Sequence, residues 1–444
     1  MDATTLKIAI AAFMHDIGKF ADKDTLGVTE EYINNHAGLY LPFYNGRHSH
    51  HHAVYTAAFI EQMKDRLPKE FNSPGWGEGD SFINLAAGHH LPETPMQWLI
   101  AIADRLSSGW ERDTFDKEYN RQVAWKDYKK TRLLPLIEQI MLGQNDASTS
   151  MDTFIYAYPL REISPETIFP RIKNDITPKT SDEAAAQYRE LFSNFKDRLQ
   201  ILKHREECLE LWFEHFDSLM MVYTSSIPAA RAGDVIPDVS LYDHSRVTSA
   251  LAVAHYLYHR DTGTLNVEAV KEYDEKKLLI VSGDFYGIQE FISNSSGDTR
   301  KYRSKLLRGR SFEVSVFSEL AADMFCQAIG LPFSSIILNA AGKFAILAPN
   351  TQDTKKCIED VERRINDWLI EVAYGETTMG FSYVEAAPND FTLAKFIELW
   401  DRISQMLEIR KSQKIDLQRH GGPCLLYTSP SPRDLSTSRM PSSA

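Results

Sequence analysis

Apolar residues recur with helical spacing through the first part of the chain. An apolar segment covers residues 6–14, and further helical patterns cover 52–67, 82–90 and 96–106. Apolar positions three and four residues apart are typical of amphipathic helices. The pattern therefore predicts an all-α domain over residues 1–115.

Helical spacing continues beyond this point, for example over 188–222, between loops rich in Pro, Ser and Thr. We interpret residues 116–260 as a helical linker region. No internal repeat is visible along the chain.

Near residue 277 the pattern changes to short strands alternating with helices. Apolar strand-like runs lie at 278–281, 335–338, 344–347 and 379–385, and helical patterns lie at 305–329, 354–372 and 392–415. The turn at 339–343 between the second and third runs is typical of a hairpin. The order β-α-β-β-α-β is the ferredoxin-like plan. We therefore expect an α+β fold class, with a ferredoxin-like domain over 261–420 after the helical parts.

The last segment, 421–444, shows neither the helical nor the strand-like spacing of apolar residues. It is rich in Ser, Thr and Pro and follows a helical pattern abruptly at Cys424. It resembles the translation of a sequencing adapter, so we expect a non-native tail and a natural protein that continues beyond about residue 420. The alternative is a natural disordered tail.

Composition is that of an ordinary soluble protein, with 43% hydrophobic and 25% charged residues. No apolar run approaches the roughly 18 residues that a membrane span needs, so we expect no membrane partner. Four cysteines without a C-x-x-C pair favour a reducing, cytoplasmic location over a thiolate zinc site. The net charge of −12 means that any contact with a polyanion is local.

The histidines are concentrated near the N-terminus, where eight of the fourteen fall at or before His90. His15 and Asp16 are adjacent on a predicted helix, pointing about 100° apart, which suits two ligands that converge on a metal. Lys19 lies one turn further on, where its ammonium can meet a phosphate.

Further candidate ligands follow in the same segment. They are His48, His50, His51 and His52 at a helix start, the His89-His90 pair, and Asp104. Imidazole and carboxylate without thiolate suit Mn, Fe, Co, Ni or Zn, which activate water and stabilise phosphoryl charge. Taken singly, the 48–52 run is also explained as a chance histidine-rich loop and His89 as a core histidine. Together they predict a metal site.

This motif resembles the HD phosphohydrolase superfamily in a permuted order, since no histidine precedes His15. With the His-His pair followed by Ala-Asp-Arg-Leu-Ser-Ser-Gly at 103–109, it is similar to the large subunit of type III-A CRISPR (Csm) effector complexes. That resemblance implies cleavage of single-stranded DNA. The implied metal ligands are His15, Asp16, His52, His89 and Asp104, for Mn, Ni or Co. The implied catalytic residues are His15, Asp16 and Lys19, and His51 and His90 remain alternative ligands.

The segment 240–250 also resembles the approach to the palm domain of this family. His244 within it is far in sequence from the other histidines, and we interpret it as structural. Asp284 and Gly287 follow the first palm strand and are expected to bind ATP, because the glycines allow a tight backbone near a nucleotide.

A basic stretch between residues 300 and 310 is interpreted as a contact for RNA, a nucleotide or an acidic partner. Its positive residues are Arg300, Lys301, Arg303, Lys305, Arg308 and Arg310, with no acid among them. The alternative is a solvated helix face.

The predicted hairpin at 339–343 contains no carboxylate pair that could hold two metals. The resemblance implies that this first palm is degenerate, and that the intact subunit makes cyclic oligoadenylate from ATP with Mg on a second palm. It also implies guide RNA, other Csm subunits and activating target RNA as partners. Two alternatives remain open: a stand-alone HD phosphohydrolase acting on nucleotides, and a non-catalytic scaffold.

Overall fold

The computed structural model describes residues 1–109, 128–144, 153–230, 236–293, 303–373 and 375–413, together with Asp416 and Arg419. The predictions for Arg300, Lys301 and the 421–444 tail therefore concern residues outside the described part, and so does the prediction for the side chain of Arg303.

The N-terminal part of the described chain is helical, as the apolar spacing predicts. Its elements are α1 (Ala3–Met14), α2 (Lys23–Leu26), α3 (Glu30–Tyr40), α4 (His52–Gln62), α5 (Phe82–Ala87) and α6 (Pro95–Gly109), with a small hairpin of β1 (Phe43–Tyr44) and β2 (Arg47–His48). The α1 helix is buried at every position from Thr4 to Met14. A helix that is buried on all sides lies at the centre of a core, and α1 occupies that place.

The middle part continues with helices and a second small hairpin. Its elements are α7 (Leu136–Gln144), β3 (Tyr156–Ala157), β4 (Arg171–Ile172), α8 (Lys173–Ile176), α9 (Ser181–Gln200), α10 (Leu209–Thr224), α11 (Leu241–Thr262) and α12 (Val267–Val270). The helical stretch expected over 188–222 is two helices, α9 and α10. Helix α9 ends at Gln200, and His204 in the connection has a left-handed φ of 63°. Helix α10 then packs against α9.

The helices of the middle part complete the core of the N-terminal part. Phe20 on the turn after α1 packs edge-on against Phe192 and Phe195 of α9, and Phe13 packs against Phe213 of α10. Helix α11 packs against both α1 and α6. The region that we interpreted as a linker therefore shares one hydrophobic core with the first six helices.

The C-terminal part has the expected ferredoxin-like order. Its elements are β5 (Leu278–Tyr286), α13 (Ile288–Ser293), α14 (Arg303–Ile329), β6 (Ile336–Ala340), β7 (Lys343–Pro349), α15 (Gln352–Ala373), β8 (Thr378–Ala386) and α16 (Leu393–Lys411). The strands form one antiparallel sheet in the order β6-β7-β5-β8. This order confirms the predicted α+β fold class.

Two details of the sheet differ from or refine the sequence pattern. Strand β5 runs on through 283–286, although the apolar run that predicted it ends at residue 281. Gly283 permits this, because a Cβ there would lie 2.1 Å from the Phe344 ring of the neighbouring strand. The β6–β7 turn consists of Ala341 and Gly342, both with positive φ, as a tight two-residue hairpin requires.

Among the described residues, no helix combines the length and apolar character needed to cross a membrane.

Candidate metal centre

The turn after α1 is held against α4, and this contact brings the first ligands together. The Thr56 hydroxyl donates to the His15 carbonyl at 2.8 Å and accepts from the Gly18 N–H at 3.1 Å. A Cβ at Gly18 would lie 2.0 Å from the His52 carbonyl oxygen, so only glycine allows the turn to lie this close to α4. The side chains of Asp16 and His52 consequently meet, with Asp16 Oδ1 3.1 Å from His52 Nε2.

Four buried side chains form one group of candidate ligands: His15, Asp16, Asp104 and His244. They come from the end of α1, from α6 and from α11. One donor atom from each lies within 4.8 Å of the donor atoms of the others. His244 Nε2 is 3.2 Å from Asp104 Oδ1 and 3.3 Å from Asp16 Oδ2, and 3.2 Å from His15 Nε2.

A second group adjoins the first and consists of His52, His89 and His90. The Nε2 atoms of His52 and His90 are 2.8 Å apart. Asp16 links the two groups, because its Oδ2 faces His244 while its Oδ1 faces His52 and lies 3.9 Å from His89 Nε2. The arrangement offers two adjacent positions for cations that share one carboxylate.

Hydrogen bonds at the far side of two rings direct their Nε2 atoms into the site. His15 Nδ1 donates to the Ala12 carbonyl at 2.7 Å, and His89 Nδ1 donates to the Ala86 carbonyl at 3.2 Å. A carbonyl only accepts, so each ring carries its proton on Nδ1 and presents an Nε2 lone pair to the cluster. The buried His89 Nε2 has no hydrogen-bond partner within the described chain. A metal ion would satisfy it.

The charges of the cluster also favour a bound cation. Burial alone would raise the pKa of Asp16, but the Lys19 ammonium and the adjacent histidines hold that pKa well below its usual range. The pKa of Asp104 is likewise held well below its usual range, against the effect of burial, by His15 and His244. Both carboxylates are therefore ionised in a buried place.

The histidines of the second group have the opposite tendency. Burial lowers the pKa of His52 and His90, and it lowers the pKa of His89 to about 3. Neutral imidazoles are the form that binds metal. For His244, burial opposes protonation, but Asp104 and Asp16 raise its pKa to about 9. Without a metal, the proton on His244 supplies the positive charge that the two carboxylates require.

Every residue that we expected as a ligand lies in this cluster, namely His15, Asp16, His52, His89 and Asp104. Of the two alternatives, His90 is in the second group. His51 turns away, with its Nε2 3.1 Å from the His48 carbonyl. The Lys19 side chain is 24% exposed and its Nζ lies 2.5 Å from Asp16 Oδ2, at the edge of the cluster.

We interpreted His244 as a structural residue, but the structure places its ring among the candidate ligands. It is as close to the two carboxylates as His15 is, although 140 residues separate it from Asp104. Local spacing gave no sign of this contact, because α11 reaches the site only through tertiary packing on α1 and α6. The helix itself gave no distinctive signal, because α11 also contains the buried His255 and His259.

Of the two residues expected to bind ATP, Asp284 lies within β5 and Gly287 directly follows it. Asp284 is buried on β5, which raises its pKa although Lys343 lies 3.3 Å away and acts to lower it. Gly287 has φ of 81°, and a Cβ there would lie 2.4 Å from the Glu376 carbonyl oxygen. Close backbone contact therefore accounts for this glycine.

The described part of the basic stretch forms the start of α14. Lys305 and Arg308 are exposed there. Arg310 is partly buried, and it donates to the Phe291 carbonyl at 3.0 Å and lies over the Phe291 ring. Its contacts hold α14 to α13.

Two family models match separate parts of the chain. The model described as HD domain matches residues 3–109, and the model described as Csm1 subunit domain B matches residues 277–420. The first range contains six of the seven cluster residues, and the second coincides with the ferredoxin-like part.

Curated relatives match across both parts. A "CRISPR system single-strand-specific deoxyribonuclease Cas10/Csm1 (subtype III-A)" from Methanocaldococcus jannaschii is 26% identical over 94% of this chain and 51% of its own length. The protein of the same name from Mycobacterium tuberculosis is 28% identical over 93% of this chain and 50% of its own. The chain thus spans about half the length of these relatives.

Solved structures show the same fold. The chain matches Csm1 of T. onnurineus with a TM-score of 0.62 and 20% identity, over 93% of this chain and 50% of that one. It matches a Csm1–Csm4 cassette in complex with pppApApA with a TM-score of 0.61 and 20% identity, over 94% and 50%.

Proposed function

Because the chain belongs to the Cas10/Csm1 family of subtype III-A CRISPR systems, we propose that it is a CRISPR effector subunit whose metal centre hydrolyses single-stranded DNA. The observation that carries the proposal is the pair of ligand groups joined by Asp16. Imidazole and carboxylate donors suit Mn, Ni or Co. The relatives' description as single-strand-specific deoxyribonucleases supports the choice of substrate.

The roles of the residues follow from their positions. His15, Asp104 and His244 hold one ion together with Asp16, and the three histidines His52, His89 and His90 hold the second position. Divalent ions bound there supply an activated water and stabilise charge on the phosphate. Lys19, paired with Asp16 and partly exposed, is placed to contact a phosphate oxygen of the strand.

The test is Mn-dependent cleavage of a labelled single strand by the double variant His15→Ala, Asp16→Ala. Outer-shell partners of a metal alone are worth about 10- to 100-fold, so loss of two ligands should lower the cleavage rate by more than about 100-fold. Wild-type protein should cut the single strand and leave a duplex of the same sequence intact. The variant His215→Ala, exposed on α10, is the matched control and should keep full activity.

Wild-type rates in the double variant would contradict the proposal. Hydrolysis of nucleotides without cleavage of DNA would favour a stand-alone phosphohydrolase instead.

We further propose that the ferredoxin-like part, about residues 261–420, contacts guide RNA and other Csm subunits, with target RNA as activator. A structurally similar Csm1–Csm4 cassette has been crystallised with one ATP, which supports another Csm subunit and a nucleotide as partners; the RNA contacts rest on the family resemblance. Within the described part of the basic stretch, Lys305 and Arg308 are exposed and are placed to contact RNA. We propose that ATP and Mg act in the longer relatives, since the β6–β7 turn here carries no acidic side chain.

A further inference from the structure

The β1–β2 hairpin, residues 43–48, projects beside the metal centre in a defined shape. Its turn residues Asn45 and Gly46 have φ of 50° and 78°, the two positive values of a tight two-residue hairpin. The Ser49 N–H donates to the Pro42 carbonyl at 3.1 Å and closes the base. The hairpin is therefore shaped before any ligand arrives.

Both faces of the hairpin carry an aromatic ring in solvent. Neighbouring strand residues point to opposite faces, so Phe43 and Tyr44 lie on different sides. Their exposed fractions are 65% and 56%. On one face the Phe43 ring contacts the ring of its strand partner His48, with centroids 4.9 Å apart. On the other face Tyr44 is opposite Arg47, which is exposed.

The hairpin lies just before the candidate ligand His52 in the sequence. His48 precedes His52 by four residues, so their Cα atoms lie within about 14 Å of each other. Between them, the His50 ring lies against His90 of the second ligand group, with centroids 4.1 Å apart. The aromatic rings are consequently within a few nucleotides of the proposed scissile phosphate.

We propose that this hairpin is a stacking platform for single-stranded DNA, with bases on Phe43 and Tyr44 and a phosphate on Arg47. The inference rests on the proposed function and assigns the residues that select the single-stranded substrate. Aromatic rings with an adjacent cation bind single strands without regard to sequence, because every base has a π face. In a duplex those faces are stacked on one another and cannot reach the rings.

The test is fluorescence anisotropy of a labelled single-stranded oligonucleotide with the full chain in EDTA, where no cleavage occurs. Phe43→Ala with Tyr44→Ala should weaken binding by about 5- to 150-fold for each base that loses its stacking partner. Stacking releases no counterions, so the salt slope should stay unchanged. Arg47→Ala should instead lower the salt slope by about 0.7, the value for one phosphate contact on a single strand.

Matched variants separate stacking from damage to the fold. Phe43→Trp with Tyr44→Trp should retain affinity, because the π faces remain. Phe169→Ala, which removes an equally exposed phenylalanine between β3 and β4, should have no effect.

Unchanged affinity in the double alanine variant would overturn the inference, and so would an equal loss of affinity for duplex and single strand. Failure of the wild-type chain to bind the oligonucleotide would overturn it as well. If alanine variants keep DNA affinity and lose a partner subunit, the hairpin is a protein contact. These binding results are independent of Mn-dependent cleavage, so they do not decide the proposed function.

Discussion

At the scale of single residues, His244 provides one of the four donors of the first ligand group, with its Nε2 3.2 Å from Asp104 Oδ1 and 3.3 Å from Asp16 Oδ2. Adjacent His15 and Asp16, and the histidines near 52 and 89, could be predicted because several ligand types crowd into one short segment. His244 lies far in sequence from that segment. It became a candidate ligand only when its Nε2 was found 3.2 Å from Asp104.

We predict that His244→Ala lowers Mn²⁺ affinity by at least about tenfold, since even outer-shell partners are worth that much. The reason is the loss of one of four donors from the first ligand group, which leaves two buried carboxylates with less compensation. Isothermal titration calorimetry measures the change. His215→Ala, exposed on α10, is the control. An affinity equal to that of the wild type would return His244 to a structural role.

At the scale of elements, the turn after α1 and helix α4 act as a unit. Most elements were predictable, because apolar spacing marks α1, α4 and the four palm strands. The contact between elements was not, since it depends on Gly18 and Thr56 fitting together in three dimensions. The break between α9 and α10 was missed for a similar reason, because no Gly or Pro marks it.

Substitution of Gly18 tests this unit. A Cβ at Gly18 would overlap the backbone of α4, which cannot move aside as a flexible side chain could. Overpacking of this kind costs about 1–3 kcal/mol. We therefore expect Gly18→Ala to lower the free energy of unfolding by about that amount and to weaken Mn²⁺ binding, as measured by urea denaturation and calorimetry.

Gly38→Ala is the matched control. Gly38 is exposed on α3, with no heavy atom within 4 Å of an added Cβ. Alanine there should stabilise the protein by up to about 1 kcal/mol, because glycine weakens a helix interior. If Gly18→Ala were as stable as this control, the close approach of turn and helix would not hold.

At the scale of the whole molecule, the site joins parts of the chain that the sequence pattern separates. Helix α11 lies between the first six helices and the sheet, in contact with α1, α6 and β7. It brings His244 to ligands that all lie before residue 105. The helical and α+β parts could be predicted from the spacing of their apolar residues. The core that they share could not, because packing between distant elements produces no regular spacing in the sequence.

Anomalous scattering from crystals soaked in Mn²⁺ locates the bound metal directly. We predict a peak enclosed by His15, Asp16, Asp104 and His244, with a second position beside His52, His89 and His90. Crystals of His15→Ala, Asp16→Ala should lack the first peak. Manganese bound only elsewhere in the wild-type protein, or none bound at all, would contradict the assignment of this cluster as a metal centre.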